Sequence, residues 1–240
     1  MHQQNKIPGL VNWAGYIALT LLLVLPLSVL AVRSGGWQLG LLLYAIACLG
    51  SILLLLLSIV LLLLPRFAPW RKAIALRALL VIPGTALLLS LAGGGGSPRI
   101  HDITTDTRDP PTFTMAAQQR GTGSNPLEID QEVIAQQQQA YPDMQTLVSP
   151  LSIDETYSRA LQVATDLGWK IYHQDRNAGV IEAVVTTRIM AFKDDVVIRL
   201  RSTAQGTLVD LRSVSRVGEG DIGANAKRIR AFREAFQNQG

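Results

Sequence analysis

Three long stretches without a charged side chain lie in the first hundred residues and limit what this chain can become. Val11 to Val32 covers 22 residues, Trp37 to Leu64 covers 28 and Ala78 to Ser97 covers 20. About 20 apolar residues are enough to cross the hydrocarbon core of a bilayer. Inside lipid there is no water for backbone N–H and C=O groups, so each stretch must be a helix, which satisfies those groups internally. The second stretch, with Leu53 to Leu57 and Leu61 to Leu64, is the most apolar. The third carries Pro83 and Gly84 and runs into a glycine exit, Gly93 to Gly96; the first carries Pro26. Transmembrane helices tolerate both residue types better than soluble ones do. Only Lys6 flanks the first stretch, and no small-x-small site follows it, so it reads as a retained helix rather than a cleaved signal peptide.

Charge divides the chain at the same place. Residues 1–96 hold six basic side chains (Lys6, Arg33, Arg66, Arg71, Lys72, Arg77) and no acidic one. The remaining 16 basic and all 18 acidic residues lie in 97–240. The net charge of +4 is therefore +6 from the apolar part and −2 from the rest. A mildly acidic domain lacks the basic footprint of nucleic-acid binding. Cys48, the one cysteine, can form neither an intrachain disulfide nor a zinc site and reads as a small packing residue in a helix.

Loop charge sets the expected orientation. Arg66, Arg71, Lys72 and Arg77 lie between the second and third stretches, against only Arg33 between the first and second. The positive-inside rule places the richer link in the cytoplasm. The N-terminus is then cytoplasmic too, and three crossings leave the C-terminal domain outside, in the periplasm of a Gram-negative cell. Trp13, Trp37 and Trp70 lie near the span ends, where indoles favour the interface. No ionisable residue sits deep in a span, which argues against a proton relay, channel or transporter.

Past the membrane part, residues 97–140 read as an extended linker arm, broken by Asp109-Pro110-Pro111, with a polar helix predicted over Leu127 to Gln139. From Tyr141 the pattern tightens. Met144 to Val148 predicts a strand. Ser152 with Glu155 three residues on is a capping box that opens a helix, ended by Gly168. Strands are predicted at Trp169 to His173, Val180 to Arg188, Val196 to Arg201 and Thr207 to Val214, with Asp194-Asp195 as a turn. A last helix is predicted over Ala224 to Phe236. Short turns between the later strands imply an antiparallel meander. The expected architecture is thus a three-helix membrane anchor (1–96), the arm (97–140) and an α+β domain (141–240) of two layers, with an antiparallel sheet and two packing helices.

Three groups of residues are candidates for chemistry. His101, Asp102, Asp106 and Asp109 put an imidazole and three carboxylates within nine residues, a weak candidate for acid–base or metal chemistry. Their spacing fits no standard motif, and Asp and Thr side chains at such spacing also cap local turns. Gly218-x-Gly220-x-x-Gly223 before a helix matches the dinucleotide fingerprint in letters, but a strand from an antiparallel meander cannot supply the βαβ unit that motif needs. Arg216, Gly218, Gly220, Lys227 and Arg228 around a helix start remain a weak anion- or partner-binding candidate. Arg188, Arg199, Arg201 and Arg212, with Glu182 and Asp210, read as cross-strand ion pairs on a solvated face.

Particular strings resemble a known family. Ile100-His101-Asp102-Ile103-Thr104-Thr105-Asp106, Asp109-Pro110-Pro111 and Tyr141-Pro142-Asp143 are similar to its opening, and Ser215-Arg216-Val217-Gly218, Asp221-Ile222-Gly223 and Asn225-Ala226-Lys227-Arg228-Ile229 to its close. The family is the bacterial domain of unknown function fourteen ninety-nine. The resemblance covers roughly residues 98–237 and implies no established activity. The combined reading is a membrane-anchored extracytoplasmic domain in the bacterial envelope, embedded through residues 11–97, that binds an unidentified envelope protein or ligand. It implies no cofactor, resident metal, nucleotide or nucleic acid. The alternative is an envelope hydrolase or metal-dependent enzyme using His101 with Asp102 or Asp106.

Overall fold

The computed structural model describes residues 6–93 and 97–238, so most of the expected glycine exit, 94–96, lies outside the described residues. The chain forms two compact units, residues 1–95 and 96–240.

In the first unit, helix α1 (Gly9–Arg33) and helix α2 (Trp37–Leu63) cover the first two apolar stretches. The third helical run begins earlier than expected. A 3₁₀ turn at Pro65–Trp70 leads into α3 (Arg71–Ala78), a 3₁₀ turn at Leu79–Val81 and α4 (Ile82–Gly93). Pro65 opens this run where a missing N–H costs nothing, so Arg66, Arg71 and Lys72 sit on helical turns rather than in a loop. The second 3₁₀ turn has a local cause. Pro83 has no N–H to give the Leu79 carbonyl, and the Ile82 N–H takes that carbonyl one residue earlier. Three candidate spans result: Gly9–Arg33, Trp37–Leu63 and Pro65–Ser90. They meet through small residues. Gly40 faces Val32 and Ser28, Gly50 faces Leu21, and Gly84 faces Ser51. In lipid, where apolar surface gains little by leaving the solvent, such close approach is what holds helices together. Arg77 lies over Gly15 and donates to Asn12 Oδ1 at 3.0 Å.

The second unit is the expected two-layer α+β domain. Its six-stranded sheet consists of β1 (Asp102–Thr104), β2 (Leu147–Ser149), β3 (Lys170–Asp175), β4 (Val180–Thr186), β5 (Lys193–Thr203) and β6 (Gly206–Ser215). The order is β1-β6-β5-β4-β3, all antiparallel, with β2 pairing the other end of β6's outer edge. Helices α5 (Ala116–Gln119) and α6 (Gln131–Ala140) lie between β1 and β2; α7 (Ile153–Asp166) follows β2 and α8 (Ala224–Asn238) follows β6. The capping box forms as the sequence requires, with Ser152 accepting from the Glu155 amide and the Glu155 side chain accepting from Ser152.

Alternation along the strands sends Ile181 and Ala183 of β4, Val196, Ile198 and Leu200 of β5, and Val209 and Leu211 of β6 to one face. There they pack on Tyr157, Ala160, Val163 and Ala164 of α7 and on Ala226, Ile229, Phe232 and Phe236 of α8. Trp169 stacks on Phe232 at 5.4 Å between ring centres. Each fully buried Val, Leu, Ile or Phe contributes roughly 1.5–3 kcal/mol, so this face carries most of the domain's apolar stabilisation.

Two expectations are corrected. Asp194-Asp195 is not a turn; both residues lie inside β5 and are buried, because arginines from other elements meet them. The turn falls instead at residues 187–192. The sheet's other face is not solvated either, since part of the segment read as a linker arm closes over it.

The tight β5–β6 turn supplies a test. Gly206 has φ +127°, and a side chain there would run into the Ser149 carbonyl. Gly206→Ala is expected to destabilise the solubilised full-length chain by roughly 1–3 kcal/mol or more. Gly121→Ala, with open space around it, should melt like the wild type. Tryptophan fluorescence on heating compares the two.

Candidate functional site

The sheet's second face is built from charge. Glu182, Asp195, Asp210 and Arg212 alternate with the core residues of β4, β5 and β6, and each is no more than 1% exposed. Burying unpaired charge would cost several kcal/mol per group. The segment from β1 to Leu127, a strap across this face, supplies partners for Arg212, Glu182 and Asp195. Arg212 donates to Asp102 at 2.6 Å and to the carbonyls of Pro111 and Leu127. Glu182 accepts the amides of Thr114 and Met115 at the start of α5. Arg120 pairs with Asp195, which Arg216 also holds through two bonds of 2.7 and 2.9 Å. Asp210 accepts from Arg199, Arg201 and Thr146. The strap is thereby pinned along its length.

The acidic candidates belong to this closure. Asp102 is paired with Arg212. Asp106 accepts the amides of Arg108 and Asp109 and the guanidinium groups of Arg199 and Arg201. Burial on its own would raise the Asp106 carboxyl, but those amide bonds and the Arg201 charge outweigh it and hold the group below the usual carboxylate range. Asp109 pairs with Arg199 at 2.9 Å. His101 is half-buried, and its carbonyl accepts the Ser215 amide and the Asn225 side chain. Among the described residues, no three His, Cys, Asp or Glu side chains converge as a metal site.

The loop between β6 and α8 is tied down in the same manner. Arg216 belongs to Asp195. Gly218 adopts φ +88°, a left-handed conformation glycine takes without strain. Gly220 lies beneath the backbone of Arg99. Asp221 caps α8 by accepting the amides of Gly223 and Asn225; burial pushes its carboxyl up, and those two amides work against the rise. Arg228 donates to Asp194, Ser213 and Asn225. The strand entering this loop is antiparallel to both neighbours, so the glycine pattern sits outside a βαβ unit. Lys227, by contrast, stays exposed.

Lys227 stands beside the feature that composition did not reveal. Leu167, Trp169, Val185, Ala224 and Ala231, with Lys227 and Arg228, line an open cleft of about 290 Å³ whose walls are mainly apolar. It forms where the end of α7, the end of β4 and the start of α8 meet. Gly168, at φ +76°, ends α7 and turns Trp169 inward onto Phe232, leaving Leu167 at the surface. The adjacent Gly168-Trp169 pair is the one local sign of this corner. The convergence of three elements separated along the chain is not written in any one of them. A second, more polar concavity lies between α7 and the β3–β4 turn, lined by Leu151, Asp154, Glu155, Ser158, Arg159 and Arg176.

Residues 102–236, more than half of the chain, match the family described as Protein of unknown function (DUF1499). No curated protein matches the chain significantly.

The Arg212–Asp102 pair gives a sharp test of the closure. Arg212→Ala should cost about 3–5 kcal/mol, since it leaves Asp102 buried without its cation. Replacing both groups by apolar residues, Arg212→Met with Asp102→Leu, should cost clearly less. Equal losses in thermal unfolding would mean that the pair is not what holds strap to sheet.

Proposed function

The chain belongs to the family described as Protein of unknown function (DUF1499), and we propose that its domain is a membrane-anchored, non-catalytic binding module of the bacterial cell envelope. One observation carries the reading: an apolar cleft with the exposed Lys227 beside it, in a domain whose other charged candidates are held in internal pairs. Arg228, also at the cleft, is engaged by Asp194, so Lys227 is the cation on offer. A cleft of this kind suits an apolar segment that carries a carboxylate, with the apolar walls giving affinity and the lysine orientation. The partner is accordingly an envelope protein presenting such a segment.

The anchoring spans set the compartment in this proposal. Arg66, Arg71, Lys72 and Arg77, in the first half of the third candidate span, favour the cytoplasmic side; on this reading the N-terminus is cytoplasmic and the domain periplasmic, with the spans in the inner membrane.

A photo-crosslinking residue at Ala231, introduced in cells, is expected to capture one dominant envelope protein. Lys227→Glu should abolish that adduct without changing the melting temperature. An adduct pattern indifferent to Lys227→Glu would sink the cleft reading. Loss of cellular function in a normally folded His101→Ala variant would favour the envelope hydrolase instead. Separately, a C-terminal alkaline phosphatase fusion should be active, and an inactive fusion beside an active cytoplasmic reporter would reverse the orientation.

A further inference from the structure

The antiparallel order gives the domain two ends. At one end lie the chain's entry at residues 97–101, the Leu167–Trp169 corner, the turn at 187–192 between β4 and β5, and the 216–223 loop before α8. At the other lie the β3–β4 and β5–β6 turns. Large apolar side chains exposed among the described residues of this domain are Val148, Leu167, Ile189 and Ile222. All but Val148 are at the entry end; Val148 pairs with Leu208 toward the opposite one.

Ile222 is the telling residue. It is 62% exposed and has φ +53°, a left-handed conformation that a β-branched side chain adopts only under strain. Asp221 already provides the helix cap, and asparagine or glycine would suit the backbone better. Neither capping nor core packing accounts for an isoleucine held outward there. Ile189, in the neighbouring turn, is 67% exposed.

The same end carries exposed Lys170, Lys193 and Lys227, along with Arg188. Its acidic residues outside the buried, arginine-paired Asp102, Asp194 and Asp195 are Asp166, Glu219, which is paired with Arg99, and Asp221, which is used in the cap. Ser97 and Arg99 pack onto Gly223 and Gly220 within this end.

We propose that the entry end of the domain is a lipid-contacting surface, in which Ile189 and Ile222 insert at the headgroup–acyl boundary and Lys170 and Lys193 meet anionic headgroups. Shallow apolar insertion backed by basic side chains is the physical signature of interfacial binding. The surface goes beyond the cleft reading and does not depend on its partner.

The test uses the full-length chain with Cys48→Ala and one new cysteine at a time: Ile189→Cys, Ile222→Cys or, at the opposite end, Ala178→Cys. Each is labelled with an environment-sensitive fluorophore and reconstituted into phosphatidylethanolamine–phosphatidylglycerol vesicles, with and without doxyl-labelled lipid. Labels at 189 and 222 should lose most of their emission to the doxyl lipid, while the label at 178 keeps its own. Replacing phosphatidylglycerol by phosphatidylcholine should weaken the quenching at 189 and 222. Equal quenching at all three positions overturns the proposal. So does a blue-shifted emission at 189 and 222 without quenching, which would mean that protein, such as a second copy of the chain, covers this end. Neither result would bear on the crosslink at Ala231, so this surface and the cleft can fail separately.

Discussion

A charge taken out of water is tolerable only where another group meets it, and the soluble domain is organised by that requirement. One face of its sheet is conventionally apolar and covered by α7 and α8. The other presents Glu182, Asp195, Asp210 and Arg212, which are almost wholly inaccessible. The residues from β1 to Leu127 meet Glu182, Asp195 and Arg212 with an arginine, a carboxylate and backbone groups, and through Asp106 they also hold Arg199 and Arg201, the partners of Asp210. The strap is thus held by directional polar contacts where a hydrophobic layer would ordinarily sit. Such pairs add less net stability than well-packed apolar residues, but their geometry admits few alternatives. This closure places β1 and the chain entry beside β6, and so assembles the end of the domain at which the cleft and the exposed isoleucines lie.

The N-terminal unit, with three helices long and apolar enough to cross a membrane, is built on a different constraint. Its helices gain little by hiding leucine from lipid, so contact is made where side chains are smallest, at Gly40, Gly50 and Gly84. Backbone satisfaction explains its irregular part as well, since the 3₁₀ turn ahead of Pro83 rescues the Leu79 carbonyl. The family match begins at Asp102 and ends at residue 236, inside the soluble unit. The features proposed to act, the Lys227 cleft and the Ile189–Ile222 surface, lie within that matched stretch.

Much of this was legible in advance because it is local. Charge-free length announces a span, the Ser152–Glu155 spacing a helix start, and alternation in β5 and β6 a pair of strands. The errors share a cause. Asp194-Asp195 has the composition of a turn, and the Arg199–Arg201–Arg212 row that of a wet face, unless their partners are known. Those partners are remote: Asp102 stands 110 residues from Arg212, and Asp194 stands 34 from Arg228. Composition also misjudged the strap, whose prolines and polar residues look like a linker until the charges beneath it are seen.

The sequence by itself determined three helices long and apolar enough to cross a membrane, an antiparallel α+β domain and the order of its main strands and helices, since hydrophobic period and capping act over a few residues. Only the tertiary structure decided which sheet face is closed, which arginine meets which carboxylate, and that Leu167, Ile189, Ile222 and Lys227 share one end. Those outcomes depend on contacts between distant segments, and a local pattern carries no record of what will be folded against it.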